Sequence, residues 1–361
     1  MICADFWQGK TVLVTAGAGF LASWLIRKLV SYGADVVAVV RRVKPDSHFA
    51  LVGLHRHVKL EQGSIYDADF ITGLFDRHYF DVCFHVGYGA DVNKVLTEPL
   101  ECFRSTVEST WLLLELIRTR NPKCVCVVSS SDKAYGAQTL PYRESNALMP
   151  RHPYEVAKAS QDHAAQSYGK VYNVPVAVTR CGNYFGPYDF NFSRLIPGVV
   201  KDIISGNAPE LRSDGRFTRD FLYIEDAVDV QLLMAEQLAR DPSLYGEAFN
   251  FSYGEQIEVI EIVKRIVAIL EAQVEPKVNN TVQAEIRHMH LSSNKAAQKL
   301  NWTPRVGFDE GLQATVLWYA DFLRNKLAAG QAYSQIASLD LKRNKHVQSS
   351  INRTQRRIRG A

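Results

Sequence analysis

Two short segments of the sequence carry side chains that could move protons. Ser131, Asp132 and Lys133 are consecutive and follow an apolar run, while Tyr154 and Lys158 come later at positions i and i+4. Residues at that spacing share one face of a helix, so the Lys158 ammonium can lie beside the Tyr154 phenol and lower its pKa. Such a tyrosine can take a proton from a hydroxyl group while hydride leaves the same carbon. Together the two segments predict a catalytic group; the alternative is a surface salt bridge and a surface helical pair.

A glycine-rich turn precedes these segments. Residues 15–23 have the sequence Thr-Ala-Gly-Ala-Gly-Phe-Leu-Ala-Ser and follow the first apolar run. A turn of this kind that opens a helix directs backbone N–H groups toward a diphosphate. The predicted cofactor contacts in it are Gly17, Gly19, Phe20 and Leu21. Of the usual G-x-x-G-x-x-G pattern only Gly19 remains, with Ala16 and Ala22 at the outer positions. Either Ala16 takes a left-handed backbone, which costs roughly 1–2 kcal/mol, or Gly17 takes up the turn.

The second apolar run ends in Arg41 and Arg42. An NAD site usually offers an acidic residue to the ribose hydroxyl at this point, whereas arginine suits a 2′-phosphate. The pair therefore favours NADP over NAD as the cofactor. The alternative is that both arginines lie on the surface and begin a loop.

Short β-rich runs alternate with helical patterns along the first half of the chain. The predicted strands are 11–15, 36–40, 58–60, 82–85, 124–129 and 174–180, and the predicted helices include 67–78, 99–119 and 153–172. This alternation predicts an α/β fold with a doubly wound parallel sheet of the Rossmann type. Ligands of such sheets bind at the carboxyl ends of the strands.

The alternation weakens after residue 185, where turn residues are frequent and helices are predicted near 193–205, 225–239, 256–271 and 309–326. We therefore expect residues 1–185 to be mainly a dinucleotide-binding domain. Residues 186–328 are expected to be mainly a smaller mixed α/β substrate domain, with a possible exchange of strands or helices between the two. Residues 341–361 hold seven basic side chains and no acidic one, which predicts a basic, solvated tail over 329–361.

Composition narrows the class of protein. The 361 residues are 47% hydrophobic and 22% charged, and no apolar run has the length of a membrane span. The first residues lack the pattern of a secretory signal, and the six cysteines form no CxxC pair, so the cytoplasm is the expected location. The His55/His57 and His288/His290 pairs have no evident third ligand, so no metal site is predicted. Apart from the tail, nothing suggests nucleic-acid binding.

Several motifs resemble those of one enzyme family. They are Ser-Asp-Lys-Ala-Tyr-Gly at 131–136, His-Pro-Tyr-Glu-Val-Ala-Lys at 152–158, Thr-Arg-Cys-Gly-Asn at 179–183, Arg-Leu-Ile-Pro at 194–197 and Thr-Arg-Asp-Phe at 218–221. From Phe6 to about residue 325 the chain resembles extended short-chain dehydrogenases/reductases of the NAD-dependent epimerase/dehydratase family. It is most similar to their CDP-glucose 4,6-dehydratase branch. The resemblance implies NAD or NADP, a nucleotide-diphosphate sugar, and a homodimer formed through the helices near 99–119 and 153–172.

The resemblance also implies a mechanism. Dehydratases of this family place an acid after the hydroxyl residue, and the CDP-glucose type resembles this chain in having Asp and then Lys. Tyr154, assisted by Lys158 and Ser131, would oxidise C4 of the hexose. A neutral Lys133 would then remove the C5 proton, and a protonated Asp132 would donate to the departing C6 hydroxyl before hydride returns to C6. The alternatives are a nucleotide-sugar epimerase or decarboxylase, and a nucleotide-binding protein with weakened catalysis.

Binding residues follow from the same resemblance. Asn183 and Arg219 match positions that hold the substrate diphosphate, and Arg194 and Leu195 match the segment near the base. The remaining cofactor contacts are predicted at Ser64, Ile65 and Gly87, together with Tyr154 and Lys158. The chain departs from the family at Ser64 for an aspartate, at Thr106 and Ser109 for an asparagine and a glycine, and at Gly87-Tyr88-Gly89. These departures leave the cofactor and the reaction outcome open.

Overall fold

A seven-stranded parallel sheet forms the centre of the computed structural model, which describes residues 2–87, 92–281 and 285–328. Its strands are β1 (Thr11–Val14), β2 (Asp35–Val40), β3 (Lys59–Gln62), β4 (Val82–Val86), β5 (Val125–Ser129), β6 (Val176–Cys181) and β11 (Ala248–Phe251). The order across the sheet is β11-β6-β5-β4-β1-β2-β3, and every neighbouring pair is parallel. The predicted doubly wound α/β fold is therefore confirmed.

Helices connect and cover these strands. They are α1 (Ala4–Trp7), α2 (Phe20–Ser31), α3 (His48–Leu51), α4 (Ala68–Arg77), α5 (Val92–Thr97), α6 (Pro99–Phe103), α7 (Ser109–Arg120), α8 (Pro153–Tyr172), α9 (Leu195–Ile204), α10 (Ile224–Leu238), α11 (Val259–Ile269), α12 (Asn294–Leu300) and α13 (Phe308–Ala328). Short 3₁₀ helices span Leu54–Arg56, Asp132–Tyr135 and Pro242–Leu244, and a π-helical segment spans Arg104–Glu108. Within the described ranges, no helix has both the length and the apolar character needed to cross a membrane.

Three small strand pairs lie outside the main sheet. They join β7 (Asn183–Phe185) with β10 (Phe221–Tyr223), β8 (Glu210–Leu211) with β13 (Lys277–Val278), and β9 (Thr218–Arg219) with β12 (Ile257–Glu258). The first two pairs are parallel and the third is antiparallel. All of these strands except β7 follow residue 185, after which the regular alternation of the sequence weakens.

The two faces of the sheet are buried in separate apolar clusters. Val12 and Val14 of β1 belong to one cluster, and Leu13 between them belongs to the other. Successive side chains of a strand point to opposite faces, so helices on both sides bury the whole strand. Cys124 and Cys126 lie in the same cluster, on the side of Leu13, as their alternation with valines predicts.

Two differences between the predicted and the observed elements affect the main sheet and the helices beside it. The helix predicted over 99–119 is divided into α6, the π-helical segment and α7. The sheet also gains β11, a four-residue strand of the second half of the chain that pairs with β6 and was not among the predicted strands. The predicted tail at 329–361 lies outside the described residues.

Candidate active site

A cavity of about 560 Å³ lies at the carboxyl ends of the central strands. Its lining includes Ala16 after β1, Val40 at the end of β2, Val86 at the end of β4 and Ser129 at the end of β5. The strand order reverses between β1 and β4, where ligands of doubly wound sheets bind. The cavity therefore occupies the position that the fold assigns to a ligand.

The turn after β1 owes its shape to Ala16. This residue has a φ of 52°, so the alternative in which Gly17 takes up the left-handed conformation is wrong. The Gly17 N–H donates to Val39 O at 2.8 Å, and the Gly19 N–H donates to Ala16 O at 2.7 Å. Gly17 is needed for packing instead, because an added Cβ would lie 3.1 Å from the Ala38 Cβ.

The N-terminus of α2 is suited to a diphosphate. Gly19 is its N-cap residue and supplies no side-chain cap, so no side chain occupies the N–H groups of the first turn. Gly19, Phe20 and Leu21 all line the cavity. Unpaired N–H groups and the positive end of the helix dipole fit the diphosphate of a dinucleotide. Leu21, Leu25 and Leu29 of α2 are buried on one face, as their spacing predicts.

The segment after β5 holds a buried carboxyl group. Asp132 is 2% exposed, its Oδ1 accepts a hydrogen bond from Ser131 Oγ at 2.8 Å, and its Oδ2 has no hydrogen-bond partner within the described part of the chain. Burial raises the pKa of Asp132, although the neighbouring Lys133 charge acts in the opposite direction. The Lys133 Nζ lies 3.9 Å from the Met289 Sδ. This environment favours the protonated acid.

Tyr154 and Lys158 lie in the first two turns of α8 and line the cavity. The helix begins with a capping box between His152 and Glu155, which fixes the start of the helix. Ser131 and Asp132 are not in the lining but adjoin Tyr154, since both influence the pKa of its phenol. The two predicted segments therefore meet at one end of the cavity.

The Lys158 ammonium is held on the sheet side of the cavity. Its Nζ donates to Ser129 O at 2.7 Å and to Gln161 Oε1 at 3.0 Å. Burial lowers the pKa of Lys158 to about 8. Burial, and then the Asp132 charge, raise the pKa of Tyr154, so the predicted lowering by Lys158 is wrong for this arrangement. The physical reason is that the ammonium hydrogen-bonds to these two acceptors, while the phenol is shielded from water.

Gly87 makes space for this ammonium group. It lines the cavity, and an added Cβ would lie 2.4 Å from the Lys158 Nζ. The departure from the family pattern at this position thus coincides with a close contact to Lys158. Tyr88 and Gly89 lie outside the described residues.

The structure brings only one of the four predicted substrate contacts to the cavity. Arg194 lines it, with Nη1 2.7 Å from the Asp189 Oδ2, whereas Leu195 is not in the lining. Asn183 donates from Nδ2 to Asp220 O at 3.3 Å. Arg219 donates to Glu285 Oε2 and to Ile286 O, both at 2.9 Å. Neither Asn183 nor Arg219 lines the cavity.

The predicted cofactor contacts divide in the same way. Arg41 and Arg42 line the cavity, and the Arg41 Nη1 lies 2.6 Å from the Glu101 Oε1. Ser64 and Ile65 are not in the lining: the Ser64 Oγ is buried without a partner among the described residues, and Ile65 packs against an apolar cluster.

Sequence reasoning missed an aromatic contact across the cavity. His48 lines it and stacks on Tyr188 with ring centroids 4.1 Å apart, and Tyr188 has a φ of 68°. Burial, and then the Arg27 charge, lower the pKa of His48 to about 3. The two rings lie far apart in the sequence, so no local spacing could have indicated the contact. Cys102 also lines the cavity, and no local sequence pattern indicated this position.

Comparison with known proteins places this geometry in a family. The model of the GDP-mannose 4,6 dehydratase family matches residues 13–315. A dTDP-glucose 4,6-dehydratase of Escherichia coli is 27% identical over 349 residues, which cover 87% of this chain and 94% of that protein. A dTDP-glucose 4,6-dehydratase of Xanthomonas campestris is 27% identical over 333 residues, which cover 86% and 93%.

Solved structures show the same architecture. A dTDP-glucose 4,6-dehydratase of Streptomyces venezuelae, solved with NAD bound, has a TM-score of 0.76 and 25% identity and covers 86% of this chain and 97% of its own. A UDP-glucose 4-epimerase of Thermotoga maritima, solved with UDP-glucose, has a TM-score of 0.78 and 26% identity and covers 87% and 99%. The family match includes most of the sheet and the residues around the cavity. The chain therefore belongs to the GDP-mannose 4,6 dehydratase family and is an enzyme of the nucleotide-sugar 4,6-dehydratase type.

Proposed function

We propose that the chain removes water from a nucleoside-diphosphate glucose to give the 4-keto-6-deoxy sugar, with CDP-glucose as the substrate. The observation that carries the proposal is the state of Asp132, a buried carboxyl group whose pKa is raised by burial and whose Oδ2 has no partner in the described ranges. Loss of a hydroxide needs a proton donor, and burial shifts this carboxyl group toward its protonated form. Simple epimerisation at C4 needs no such acid.

The first step concerns Tyr154. Its phenolate oxygen takes the proton of the C4 hydroxyl as C4 loses hydride, and the C4 oxygen becomes a ketone. The Arg194 charge and a hydrogen bond from Ser131 lower the pKa of the Tyr154 phenol against the effect of burial, and so favour the phenolate. Bound NAD or NADP supplies the acceptor of this hydride and later returns it to the sugar.

The second step concerns the residues after β5. The C4 ketone acidifies the C5 proton, which Lys133 removes as the base. Asp132 gives its proton to the C6 hydroxyl, which leaves as water, and a C5–C6 double bond forms. Hydride then adds to C6 and a proton to C5, so the sugar loses one water without net oxidation. Asp132 and Lys133 are adjacent in the chain at the start of one 3₁₀ helix, which keeps acid and base together.

The nucleotide base has two candidates. The Asp-Lys pair at 132–133 supports CDP-glucose, because the resemblance to that branch rests on it. The relatives in Escherichia coli and Xanthomonas campestris are named dTDP-glucose 4,6-dehydratases, which supports dTDP-glucose as the second candidate.

For the cofactor we propose a preference for NADP over NAD. Arg41 and Arg42 at the end of β2 support it, since both line the cavity and carry positive charge. The Glu101 carboxylate beside Arg41 opposes a 2′-phosphate in the present arrangement. Titration of the protein with NADP⁺ and NAD⁺ tests the proposal, and Glu101→Gln should strengthen the binding of NADP⁺ more than that of NAD⁺.

The partner proposed for the chain itself is a second copy. Leu100, Trp111, Val171 and Tyr172 are large apolar side chains exposed on α6, α7 and at the end of α8. Exposed apolar groups on neighbouring helices support a homodimer through these helices. Light scattering on the full chain should give twice the monomer mass, and a monomer mass would contradict the proposal.

Mass spectrometry tests the reaction. The protein is incubated with CDP-, dTDP-, GDP- or UDP-glucose, or with UDP-glucuronate, and with NAD⁺ or NADP⁺ in heavy water. A product lighter by one water with deuterium at C5 supports the dehydratase, and the nucleotide that reacts identifies the base. An isomeric product would instead select an epimerase, and carbon dioxide released from UDP-glucuronate a decarboxylase. Dinucleotide binding with every sugar unchanged would select the binding protein with weakened catalysis.

A further inference from the structure

A chain of buried hydrogen bonds leads away from Lys158. Gln161, one turn further along α8, is fully buried and accepts the Lys158 Nζ on its Oε1 at 3.0 Å. Its Nε2 donates to the Thr110 Oγ1 of α7 at 2.9 Å. The ring of His85 on β4 places its Nε2 2.9 Å from the same oxygen. The chain therefore links three elements around one ammonium group.

Counting protons fixes the direction of the bonds that Gln161 makes. The Thr110 hydroxyl donates its only proton to Thr106 O at 2.6 Å, so its oxygen is the acceptor of the bond from Gln161. Gln161 must then point its NH₂ group toward Thr110 and its carbonyl oxygen toward Lys158. Burial, followed by the Lys158 charge, lowers the pKa of His85 to about 3, so its ring is neutral.

This arrangement uses two of the three N–H bonds of Lys158. One goes to Gln161 Oε1 and one to Ser129 O, which leaves the third for the cavity that Lys158 lines. Gly87 lies against the same nitrogen, so the ammonium is enclosed from that side as well.

We infer that Gln161 is a positioning residue for the reaction, anchored by Thr110 and His85, and that it holds the Lys158 ammonium in a fixed position facing the cavity. The inference rests on the proposed function in that it assumes a catalytic role for Lys158 beside Tyr154. Gln161 itself does not line the cavity and acts only through Lys158.

Three variants test the inference. Gln161→Leu removes both hydrogen bonds, and Gln161→Glu keeps an acceptor for Lys158 but loses the donor to Thr110. Gln166→Leu is the matched control, because Gln166 lies on the same helix and donates to the Asp162 Oδ1 at 2.6 Å without contact to Lys158. Thermal unfolding of each variant identifies any loss of fold.

The first measurement follows Lys158 itself. The full-length protein is acylated at the amine with a trace of acetic anhydride over a range of pH, and the modification of Lys158 is quantified by mass spectrometry. The titratable groups that face this amine are Cys102, Asp162, Tyr154 and His85, and all are kept in every variant. A hydrogen bond to a charged donor favours the charged form, so Gln161→Leu should lower the midpoint by about one pH unit. Gln161→Glu should raise the midpoint, and Gln166→Leu should leave it unchanged.

The second measurement is the steady-state rate. Gln161→Leu should lower kcat by about tenfold with KM nearly unchanged, because a shift of one unit in the pKa of Lys158 corresponds to a factor of ten. Gln161→Glu should retain most of the wild-type kcat, because it keeps an acceptor for Lys158. If Gln161→Leu does not fold, Thr110→Val replaces it, since it removes the anchor of Gln161 and should move the midpoint in the same direction.

The outcomes separate this inference from the proposed function. An unchanged Lys158 midpoint in the folded Gln161 and Thr110 variants would overturn the inference, whatever the activity. A shifted midpoint in a protein that dehydrates none of the four nucleotide sugars would support the positioning of Lys158 and contradict the proposed reaction.

Discussion

Among single residues, Asp132 bears most directly on the proposed reaction. Asp132→Asn keeps the shape of the side chain but removes the proton that the departing C6 hydroxyl needs. We expect kcat for water loss to fall by about 10²- to 10³-fold, while Tyr154 still supports oxidation at C4. Mass spectrometry of the sugar should then show a 4-keto product that retains its C6 oxygen.

A second buried carboxyl group serves as the control. Asp229 on α10 also has a pKa raised by burial, but the charges around it are those of Arg305, Lys28, Asp226 and Glu225, whereas Asp132 adjoins Tyr154. Asp229→Asn should leave the rate of water loss unchanged. Equal rates of water loss in wild type and Asp132→Asn would remove Asp132 from its role as acid.

Ala16 carries a backbone conformation that glycine adopts without cost. Its φ of 52° places a Cβ in the left-handed region, so Ala16→Gly should raise the free energy of unfolding by about 1 kcal/mol. Ala18→Gly in the same turn is the control: Ala18 is not among the residues with positive φ, and the change should lower the free energy of unfolding by about 0.5 kcal/mol. Denaturant titration of the wild type and the two variants measures both changes in the free energy of unfolding. A loss of stability in Ala16→Gly would show that the strain is compensated.

Local spacing explains which site residues could be predicted. Tyr154 and Lys158 were found because a helix brings i and i+4 together whatever surrounds it. Thr110 and His85 reach Lys158 only through the packing of α7 and β4 against α8, and no pattern in the sequence encodes that contact. For the same reason the sequence could not indicate that Arg219 donates its hydrogen bonds to a neighbouring backbone oxygen and to Glu285.

Among the elements, β6 and α8 are joined by a buried ion pair. Arg180 on β6 donates to both carboxylate oxygens of Asp162 on α8 at 2.8 Å, and its side chain is 3% exposed. Asp162→Asn leaves the Arg180 charge buried without a counter-charge, which should lower the free energy of unfolding by about 3–5 kcal/mol.

The matched control is an exposed pair. Glu261 lies 2.9 Å from the Lys264 Nζ on the surface of α11, so Glu261→Gln should cost less than about 0.5 kcal/mol. Guanidinium denaturation measures both variants. Similar losses in the free energy of unfolding of the two variants would mean that the buried pair contributes no more to stability than the exposed one.

Element boundaries were predictable where the apolar pattern is strong. Residues 153–172 form α8 as predicted, and each predicted strand of the first half overlaps an observed one. Most of these strands are buried, continuous apolar runs, whereas β3 is exposed and largely polar. The π-helical segment at 104–108 was not predicted. Its one extra residue per turn is too small a change to interrupt the helical pattern of the surrounding sequence. The two-residue strands β8, β9, β12 and β13 depend on distant partners and carry no pattern of their own.

At the scale of the whole molecule, the cavity is closed by side chains from both halves of the sequence. His48 from the segment after β2 stacks on Tyr188 from the turn after β7, and Trp24 of α2 packs near both rings. The Trp24 Nε1 also donates to Pro187 O at 3.1 Å. The first and second halves are therefore tied together beside the predicted diphosphate site, and the state of His48 should influence the stability of the whole fold.

The pH dependence of stability follows from His48. Its pKa is lowered from 6.5 to about 3, first by burial and then by the Arg27 charge. Below about pH 6.5 the unfolded chain binds a proton here that the folded chain does not, so the folded state loses stability as the pH falls. Phenylalanine keeps the stacking and binds no proton. His48→Phe should therefore gain stability over wild type by about 1.4 kcal/mol for each pH unit below 6.5, measured by urea denaturation between about pH 7.5 and about pH 5. A difference that stays constant over that range would show that His48 takes up its proton in the folded state as readily as in the unfolded one.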